Sequence, residues 1–324
     1  MEVTCVRVPV ADGEATRRAL ADAGVIDDDY EITVEAGFLF IPVTEKVDGY
    51  DLVSHDVPAR ETLTMPGDIL GFEPAYERIG TIAIIDEDDA DRAQKIADAI
   101  AASDLPLDTV INRASKIQGE LRVRDWDILV GESTEAVHRE YGCEFHLDLS
   151  KVYFSPRLAT ERHRVTEQAA PGERVFDMFA GVGPFVIPFA KRGCDVVGCD
   201  LNEIAVKYMR ENARQNGVED RVTAIHGDVR DVAADYEGWA DRIVMNLPHT
   251  ANEFLDTAVS LAGDECVLHY YDFQSDEDPF GPGERAIRDA ATPEYDVTVE
   301  TLHTVRSYAP HELNVCLDVR LTRA

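Results

Sequence analysis

Residues 175–185, Val-Phe-Asp-Met-Phe-Ala-Gly-Val-Gly-Pro-Phe, decide the fold of this chain. The apolar run predicts a buried strand that ends in Asp177. Gly181 and Gly183 supply the backbone freedom of a turn, and Pro184 marks the start of a helix. The stretch lacks the third glycine of a dinucleotide fingerprint and the Lys-Ser/Thr pair of a phosphate-binding loop. It therefore predicts a strand-turn-helix cradle for a nucleoside.

Three further strands follow, and each leads to a polar residue. The apolar strand Cys194–Asp200 ends in an acid that can accept both ribose hydroxyls of a nucleoside. After a helix over Asn202–Asn216, the strand Val222–His226 leads to Asp228, which we expect near the adenine. The fourth strand, Arg242–Met245, ends at the carboxyl edge of the sheet, where ligands of open α/β folds bind. The lack of a pyrophosphate site favours S-adenosylmethionine over NAD.

The tetrapeptide Asn246-Leu-Pro-His249 follows the fourth strand. It could be a plain turn, because Asn and Pro are common turn formers. Such loops also occur in methyltransferases that modify base nitrogens, where Pro248 would stiffen the loop and Asn246 would point at an amino group on a planar base. Each strand-end acid could likewise be an ordinary turn acid in an Asp-rich chain. Three of them at strand ends of one α/β unit favour the cofactor-binding interpretation.

Longer motifs surround these strands, namely Gly119–Arg124, Val137–Phe145, Lys151–Val165 and Thr304–Pro310. With them, most of the chain resembles the archaeal and eukaryotic tRNA (guanine-37) N1-methyltransferases. The resemblance implies that Tyr153 and Glu161 serve the target guanine and its N1 proton. It also implies that an arginine of the pair Arg122/Arg124 contacts the guanine O6, and Arg122 is the preferred member. The implied cofactor is S-adenosylmethionine, and the implied partner is tRNA with guanosine at position 37, bound by a monomer that has no DNA partner.

The chemistry of these residues agrees with that resemblance. Guanine N1 carries a proton at neutral pH, so methyl transfer needs a base, and Glu161 is the candidate. Charge then builds on O6, where the Arg122 guanidinium would stabilise it. Tyr153 could stack on the extruded base while Asn246 holds its edge. The alternatives are a helix-surface Glu161 paired with a nearby arginine (Arg157 or Arg164), a phosphate contact for Arg122 or Arg124, and a core role for Tyr153.

The predicted fold class is α/β: a doubly wound, Rossmann-like class I methyltransferase domain with smaller N-terminal α/β domains. The expected domains are a tRNA-recognition module at 1–58, a second α/β domain at 62–150 that contributes to the active site, and the methyltransferase domain at 151–324. Within them we expect a single strand over Ile79–Ile85 and a surface loop over Asp272–Gly283. The residues expected at the cofactor are Asp177, Phe179, Gly181, Gly183, Asp200, Leu201, Asp228, Val229 and Asn246.

The charge balance is unusual for a protein that binds RNA. The 324 residues include 63 acidic and 31 basic ones, for a net charge of −32, and only six of the basic residues are Lys. RNA affinity normally comes from basic side chains that displace counterions. An acidic protein without a nucleic-acid partner fits this charge equally well. A saline cytoplasm, as in an extreme halophile, also explains it, because concentrated salt screens the self-repulsion.

One section of the chain departs from that acidity. Residues 111–170 carry nine basic and ten acidic side chains, so they form a nearly neutral island that holds the motifs assigned to guanine. The six cysteines show no zinc spacing, no metal site is expected, and no apolar run is long enough to span a membrane. These features predict a cytoplasmic protein with reduced thiols and no membrane partner. Two alternative functions remain: aminocarboxypropyl transfer to a tricyclic guanosine of the wybutosine type, and a catalytically dead RNA-binding module.

Overall fold

The structure is a computed structural model that describes residues 2–60, 63–115 and 124–324. The chain forms two compact units, Met1–Thr64 and Met65–Ala324. The first unit contains β1 (Glu2–Pro9), α1 (Gly13–Asp22), β2 (Thr33–Glu35), β3 (Phe38–Pro42) and β4 (Asp51–Asp56). Its antiparallel sheet has the order β2-β3-β1-β4. The buried side chains of Val6, Leu20 and Ile41 form its core.

The second unit begins with a separate four-stranded sheet, which is partly covered by a helix. Its elements are α2 (Pro66–Leu70), β5 (Glu77–Ile79), β6 (Ile82–Ile85), α3 (Ala90–Ala102), β7 (Thr109–Arg113) and β8 (Trp126–Val130). The strand order is β5-β6-β7-β8, and only β6 and β7 are parallel. Ile96 and Ile100 of α3 pack on Ile85 and Val110 of the sheet. A hairpin of β9 (Glu135–Glu140) and β10 (Cys143–Asp148) follows.

The remaining elements build one large sheet with helices around it. They are α4 (Ala159–Thr166), β11 (Arg174–Asp177), α5 (Val186–Lys191), β12 (Asp195–Asp200), α6 (Glu203–Gln215), β13 (Val222–His226), α7 (Val229–Val232), β14 (Ala240–Met245), α8 (Leu255–Leu261), β15 (Ala262–Ser275), α9 (Gly281–Ala291), β16 (Tyr295–Ala309) and β17 (Glu312–Arg323). The order is β13-β12-β11-β14-β15-β17-β16, parallel as far as β15. β17 runs antiparallel between β15 and β16.

This sheet has the doubly wound topology that the sequence predicts. β11 lies between β12 and β14, so the strand order reverses at the carboxyl end of β11, which is where such sheets bind ligands. Val175, Phe176, Ile243 and Val244 are fully buried, because helices cover both faces of the parallel strands. The sheet therefore directs the loops after β11, β12, β13 and β14 to one edge.

Asn212 joins the hairpin to this sheet. Its side chain is fully buried on α6. Its Oδ1 accepts the backbone N–H of His146 at 2.7 Å, and its Nδ2 donates to the carbonyl oxygen of Val182 at 3.0 Å. One hydrophobic cluster accordingly runs from Ile79 through Phe145 to the cores of β11 and α6. The predicted boundary between residues 150 and 151 therefore stays a prediction, since both sides share one core.

Two predicted elements are wrong. Residues 79–85 form a hairpin rather than a single strand, because Gly80 turns the chain with a φ of +57°. A Cβ on Gly80 would also lie only 2.5 Å from the carbonyl oxygen of Val137. The predicted surface loop at 272–283 is also shorter, since β15 continues to Ser275 by pairing with β17 and α9 begins at Gly281.

Candidate active site at the carboxyl edge of the sheet

Asp177 lies at the end of β11 and is almost fully buried. Its Oδ1 accepts the backbone N–H of Phe179 at 3.2 Å, while Oδ2 has no hydrogen-bond partner within the described part of the chain. Burial, with a smaller contribution from Asp200, raises the pKa of Asp177 to about 7. A buried acceptor without a donor is costly, so Oδ2 is suited to a ligand donor such as an amine or a hydroxyl.

The glycine loop beside Asp177 is open on one side. Gly181 and Gly183 have φ angles of +53° and +90°, which only glycine adopts without strain. A Cβ on Gly181 would meet no heavy atom within 4 Å, whereas a Cβ on Gly183 would approach Met209 at 3.0 Å. The backbone of Gly181 therefore borders free space, and Gly183 allows the helix that follows to pack closely on α6.

The carboxylate of Asp200 holds that loop in place at the end of β12. Its Oδ2 accepts the backbone N–H of Gly181 at 2.7 Å, and its Oδ1 accepts the N–H of Asn202 at 2.8 Å. Burial raises the pKa of Asp200. Leu201 next to it is half exposed. Asp200 and Leu201 thus place a carboxylate beside an apolar surface, which suits a ribose with an attached base.

The predicted adenine contacts lie at the end of β13. Asp228 caps α7 by accepting the backbone N–H of Arg230 at 2.9 Å, and it also forms an ion pair with the Arg230 side chain. The hydrogen bond from Arg230 lowers the pKa of Asp228. Val229 is buried in the hydrophobic cluster on that face, and the Phe179 ring packs against the cluster and edge-on to Phe254. The side chain of Val229 is therefore not available to a ligand.

The loop after β14 carries an aromatic stack. Pro248 is buried and His249 is exposed. The His249 ring lies 4.5 Å from the ring of Phe273 and 5.9 Å from that of Tyr308, and Phe273 and Tyr308 are 4.0 Å apart. Sequence reasoning missed Phe273 and Tyr308 because β15 and β16 bring them to this loop from distant parts of the chain.

Glu161 is buried in α4, so the alternative of a solvent-exposed acid on a helix surface is wrong. Its Oε1 accepts hydrogen bonds from Arg164 Nη2 and the Tyr271 hydroxyl, both at 2.8 Å. Its Oε2 accepts one from Arg164 Nε at 2.7 Å and lies 3.2 Å from Nε2 of His303. The ion pair between Glu161 and Arg164, which that alternative also predicted, is present, but it lies inside the protein.

A chain of buried charges continues from Arg164. Its guanidinium also contacts both oxygens of Asp318, at 2.6 and 3.2 Å. Asp318 Oδ1 lies 2.6 Å from Nδ1 of His269, whose Nε2 lies 2.8 Å from Arg242 Nη1. Although burial alone would raise it, His269 and Arg164 hold the pKa of Asp318 well below its usual range. This network fixes α4 on the sheet.

A cluster in this network has the ligand types of a metal site, with ligand atoms of His269, Cys316 and Asp318 within 4.8 Å of one another. The carboxylate already binds Arg164, and the outer nitrogen of His269 faces Arg242. Burial also keeps the pKa of the Cys316 thiol well above its usual range. Two guanidinium groups and a protonated thiol disfavour a cation here.

The strand register places Glu161 level with the loops that follow β11 and β14. Met245, the last residue of β14, is opposite Tyr270 of β15, and Val244 is opposite Asp177. Tyr271 therefore lies level with Asn246, and its hydroxyl reaches Glu161. Val244 and Tyr271 belong to one hydrophobic cluster on the same face of the sheet. The structure thus brings Glu161, Asp177 and Asn246 to one edge.

Of the two arginines predicted to contact guanine, only Arg124 lies within the described residues. Arg122, the preferred residue, lies outside the described residues. Arg124 lies 5.4 Å from the ring of Trp126, and burial together with Arg113 lowers its pKa. Arg124 also interacts electrostatically with Tyr153, which is 37 % exposed. Tyr153 is therefore not a core residue, and its ring is accessible to a base.

Three family models match the chain. Residues 5–51 match the tRNA methyltransferase 5 N-terminal domain, residues 64–134 the TYW2 N-terminal domain, and residues 136–300 the TRM5/TYW2 methyltransferase domain. Within the described residues, no helix combines the length and apolarity needed to cross a membrane.

Among curated proteins, the chain is 42% identical to tRNA (guanine(37)-N(1))-methyltransferase Trm5b of Pyrococcus abyssi, over 98% of both chains. It is 35% identical to the tRNA(Phe) (4-demethylwyosine(37)-C(7)) aminocarboxypropyltransferase of Pyrococcus horikoshii, over 69% of this chain and 81% of that one. A solved complex of aTrm5 and tRNALeu superposes with a TM-score of 0.74 at 29% identity, covering 98% of this chain and 99% of that one.

Proposed function

This chain belongs to the TRM5/TYW2 methyltransferase family, and we propose that it transfers the methyl group of S-adenosylmethionine to N1 of guanosine 37 in tRNA. The 42% identical relative with that activity matches the chain from end to end. The observation that carries the proposal within the site is the buried Glu161 carboxylate, which lies level with Asn246 at the ligand-binding edge of the sheet.

The loops after β11 and β12 suit S-adenosylmethionine. The free Oδ2 of Asp177 offers an acceptor for its amino group, and Asp200 offers one for the ribose hydroxyls. The open space at Gly181 leaves room for the nucleoside. We assign Leu201, Phe179, Asp228 and the Val229 backbone to the adenine. When bound, the cofactor supplies an electrophilic methyl group, so the protein has to provide alignment and a base.

At the guanine, the residues have separate roles. Glu161 takes the proton from N1, because a protonated N1 is a poor nucleophile. An arginine of the Arg122/Arg124 pair donates to O6 as negative charge builds there. Tyr153 stacks on the extruded base, and Asn246 holds its edge from a loop that Pro248 keeps rigid.

Aminocarboxypropyl transfer is the second candidate, and the 35% identical relative favours it. That relative matches a smaller share of this chain than the methyltransferase does, and it matches at lower identity. The two reactions give products of different mass. Nucleoside mass spectrometry of an unmodified tRNA transcript incubated with the protein and S-adenosylmethionine tests the proposal. We expect one added methyl group at position 37. An aminocarboxypropyl adduct would support the rival, and no product would support a dead RNA-binding module.

We further propose a monomer that works in the cytoplasm of a halophile. The net charge of −32 supports the halophilic assignment, and the family resemblance suggests the monomer. Repulsion among surface acids is screened in salt. Lowering KCl from about 2 M to about 0.1 M should therefore lower the melting temperature. An unchanged melting temperature would contradict the halophilic assignment.

A further inference from the structure

Arg164 joins two buried carboxylates, those of Glu161 on α4 and Asp318 on β17. Its Nε and Nη2 donate to the two oxygens of Glu161 at 2.7 and 2.8 Å, and its Nη1 donates to Oδ2 of Asp318 at 2.6 Å. A bidentate guanidinium fixes both the position and the plane of a carboxylate. The orientation of the Glu161 carboxylate therefore depends on Arg164.

His269 holds Asp318 from the other side. Its Nε2 lies 2.8 Å from Nη1 of Arg242, and this nitrogen must accept because a guanidinium can only donate. The ring hydrogen is then on Nδ1, which donates to Oδ1 of Asp318 at 2.6 Å. Burial lowers the pKa of His269, so the ring is neutral. The negative charge of Asp318 is therefore balanced by Arg164 rather than by an imidazolium.

This hydrogen-bonded network carries more negative than positive charge. Within the described part of the chain, it contains two guanidiniums and three carboxylates, those of Arg164, Arg242, Glu161, Asp318 and Glu173. When Glu161 takes up one proton, the network becomes neutral, and Arg164 still has Asp318 as its partner. A guanidinium paired with Glu161 alone would instead lose its counter-charge at that moment, which is costly inside a protein.

The groups around Glu161 do not compete for that proton. His269 and Arg164 hold the pKa of Asp318 well below its usual range, although burial alone would raise it. Burial keeps the pKa of the Tyr271 hydroxyl well above its usual range, so this hydroxyl stays protonated and donates to Oε1 of Glu161 at 2.8 Å. Of the two carboxylates bound to Arg164, Glu161 is therefore the one that can accept the proton.

We propose that Arg164 and Asp318 are positioning residues for the methyl transfer: Arg164 aims the carboxylate of Glu161 at the guanine, and Asp318 keeps Arg164 paired once Glu161 has taken the N1 proton. The inference rests on the proposed function. In that step the proton moves from N1 to Glu161. The N1–H electron pair stays on N1 and forms the bond to the methyl carbon, whose former bonding pair leaves with the sulfur. Both residues act on the reaction only through Glu161.

Double-mutant cycles with E161Q test the inference by single-turnover methylation of an unmodified tRNA transcript at saturating protein and cofactor. D318N removes one negative charge with little change in shape. A removed buried charge shifts a neighbouring proton equilibrium by about one to three powers of ten, and part of that shift appears in the rate. We therefore expect D318N to be about five- to fiftyfold slower than the wild type.

R164K keeps the positive charge but loses the bidentate contact. Because the Glu161 carboxylate is then poorly aimed, we expect a rate about three- to thirtyfold below that of the wild type. If Arg164 and Asp318 act only through Glu161, neither R164K nor D318N slows the E161Q variant further. The affinities for S-adenosylmethionine and for tRNA should stay within about twofold of the wild-type values in both variants.

R174K is the matched control. Arg174 also forms a bidentate pair with a carboxylate, that of Asp241, at 2.6 and 3.1 Å. It is the first residue of β11 and so lies at the opposite end of that strand from Asp177. R174K should therefore keep the wild-type rate, although it loses a similar contact.

Each outcome decides the inference. Losses in D318N and R164K that disappear in the E161Q background support it. A wild-type rate in either variant, or losses that multiply with that of E161Q, overturns it, because a general distortion of the site would add to the loss of the base. If D318N melts below the assay temperature, the R164K cycle decides alone. A wild type that forms no 1-methylguanosine ends the proposed function and the inference together, whereas an active wild type with multiplying losses overturns the inference only.

Discussion

Replacing Glu161 by glutamine removes the proposed base with little change in shape. The amide keeps one carbonyl oxygen, which can still accept two of the three hydrogen bonds that the carboxylate accepts from Arg164 and Tyr271. The amide cannot take a proton from guanine N1 at neutral pH. General-base catalysis contributes about 10²- to 10⁴-fold, so we expect E161Q to lower the single-turnover rate by that factor. The loss should shrink at higher pH, because the guanine then loses its proton without help.

The same substitution also destabilises the fold, and the structure provides a control for that effect. The substitution removes the carboxylate partner of Arg164, which still keeps its ion pair with Asp318. We therefore expect the unfolding free energy to fall by about 2–4 kcal/mol. Glu140 forms a comparable buried bidentate pair with Arg162, with both contacts at 2.6 Å. E140Q should destabilise the protein by a similar amount and retain its chemistry.

The assay is the rate of 1-methylguanosine formation in a single turnover, measured from about pH 6 to pH 9, with cofactor affinity and melting temperature measured for each variant. A loss of rate in E161Q that E140Q does not share supports the base assignment. An unchanged rate in E161Q, or an equal loss in both variants, would refute it.

Three further changes test other parts of the site. D200A should weaken S-adenosylmethionine binding at least tenfold by equilibrium titration, because the ribose acceptor and the support of Gly181 are lost; full affinity would contradict the ribose assignment. Burial raises the pKa of Asp177 to about 7, so ionising this carboxyl lowers the free energy of unfolding. The loss grows as the pH rises from the pKa of the unfolded chain to about 7. D177N should therefore raise the unfolding free energy of the cofactor-free protein by up to about 4 kcal/mol above that pH and leave it unchanged near about pH 4; denaturant titrations showing equal effects at both would count against this. Removing residues 1–58, which lie within a compact unit of their own, should preserve methylation of a small anticodon stem-loop, and an inactive truncation would show that the module does more than recognise tRNA.

Most of the parallel half of the sheet was predictable because its central strands are short buried runs that end in, or lead directly to, a polar residue. Val175–Asp177, Asp195–Asp200 and Ala240–Met245 follow that pattern. The long strands β16 and β17 were not predicted. β16 is mostly exposed, and the register shifts after Val299 end the alternation of apolar and polar side chains that it begins with. The hairpin at residues 79–85 was also not predicted, because it depends on the positive φ angle of a single residue, Gly80.

The site was predictable only where its residues are close in sequence or belong to a motif. The resemblance identified Glu161, and helical spacing identified its pairing with Arg164. The partners that bury this pair, Tyr271, His303 and Asp318, come from three strands more than 100 residues away. No spacing rule in one sequence connects them. A buried carboxylate can be inferred from the chain, but the donors that occupy its oxygens need the folded sheet.

A structure of the protein with S-adenosylhomocysteine and an anticodon stem-loop would test the central claim most directly, through the distance from guanine N1 to the carboxylate of Glu161. We predict a hydrogen bond of about 2.6–3.2 Å, with Arg164 and Tyr271 still bound to the carboxylate. A guanine whose N1 faces a different group would contradict it.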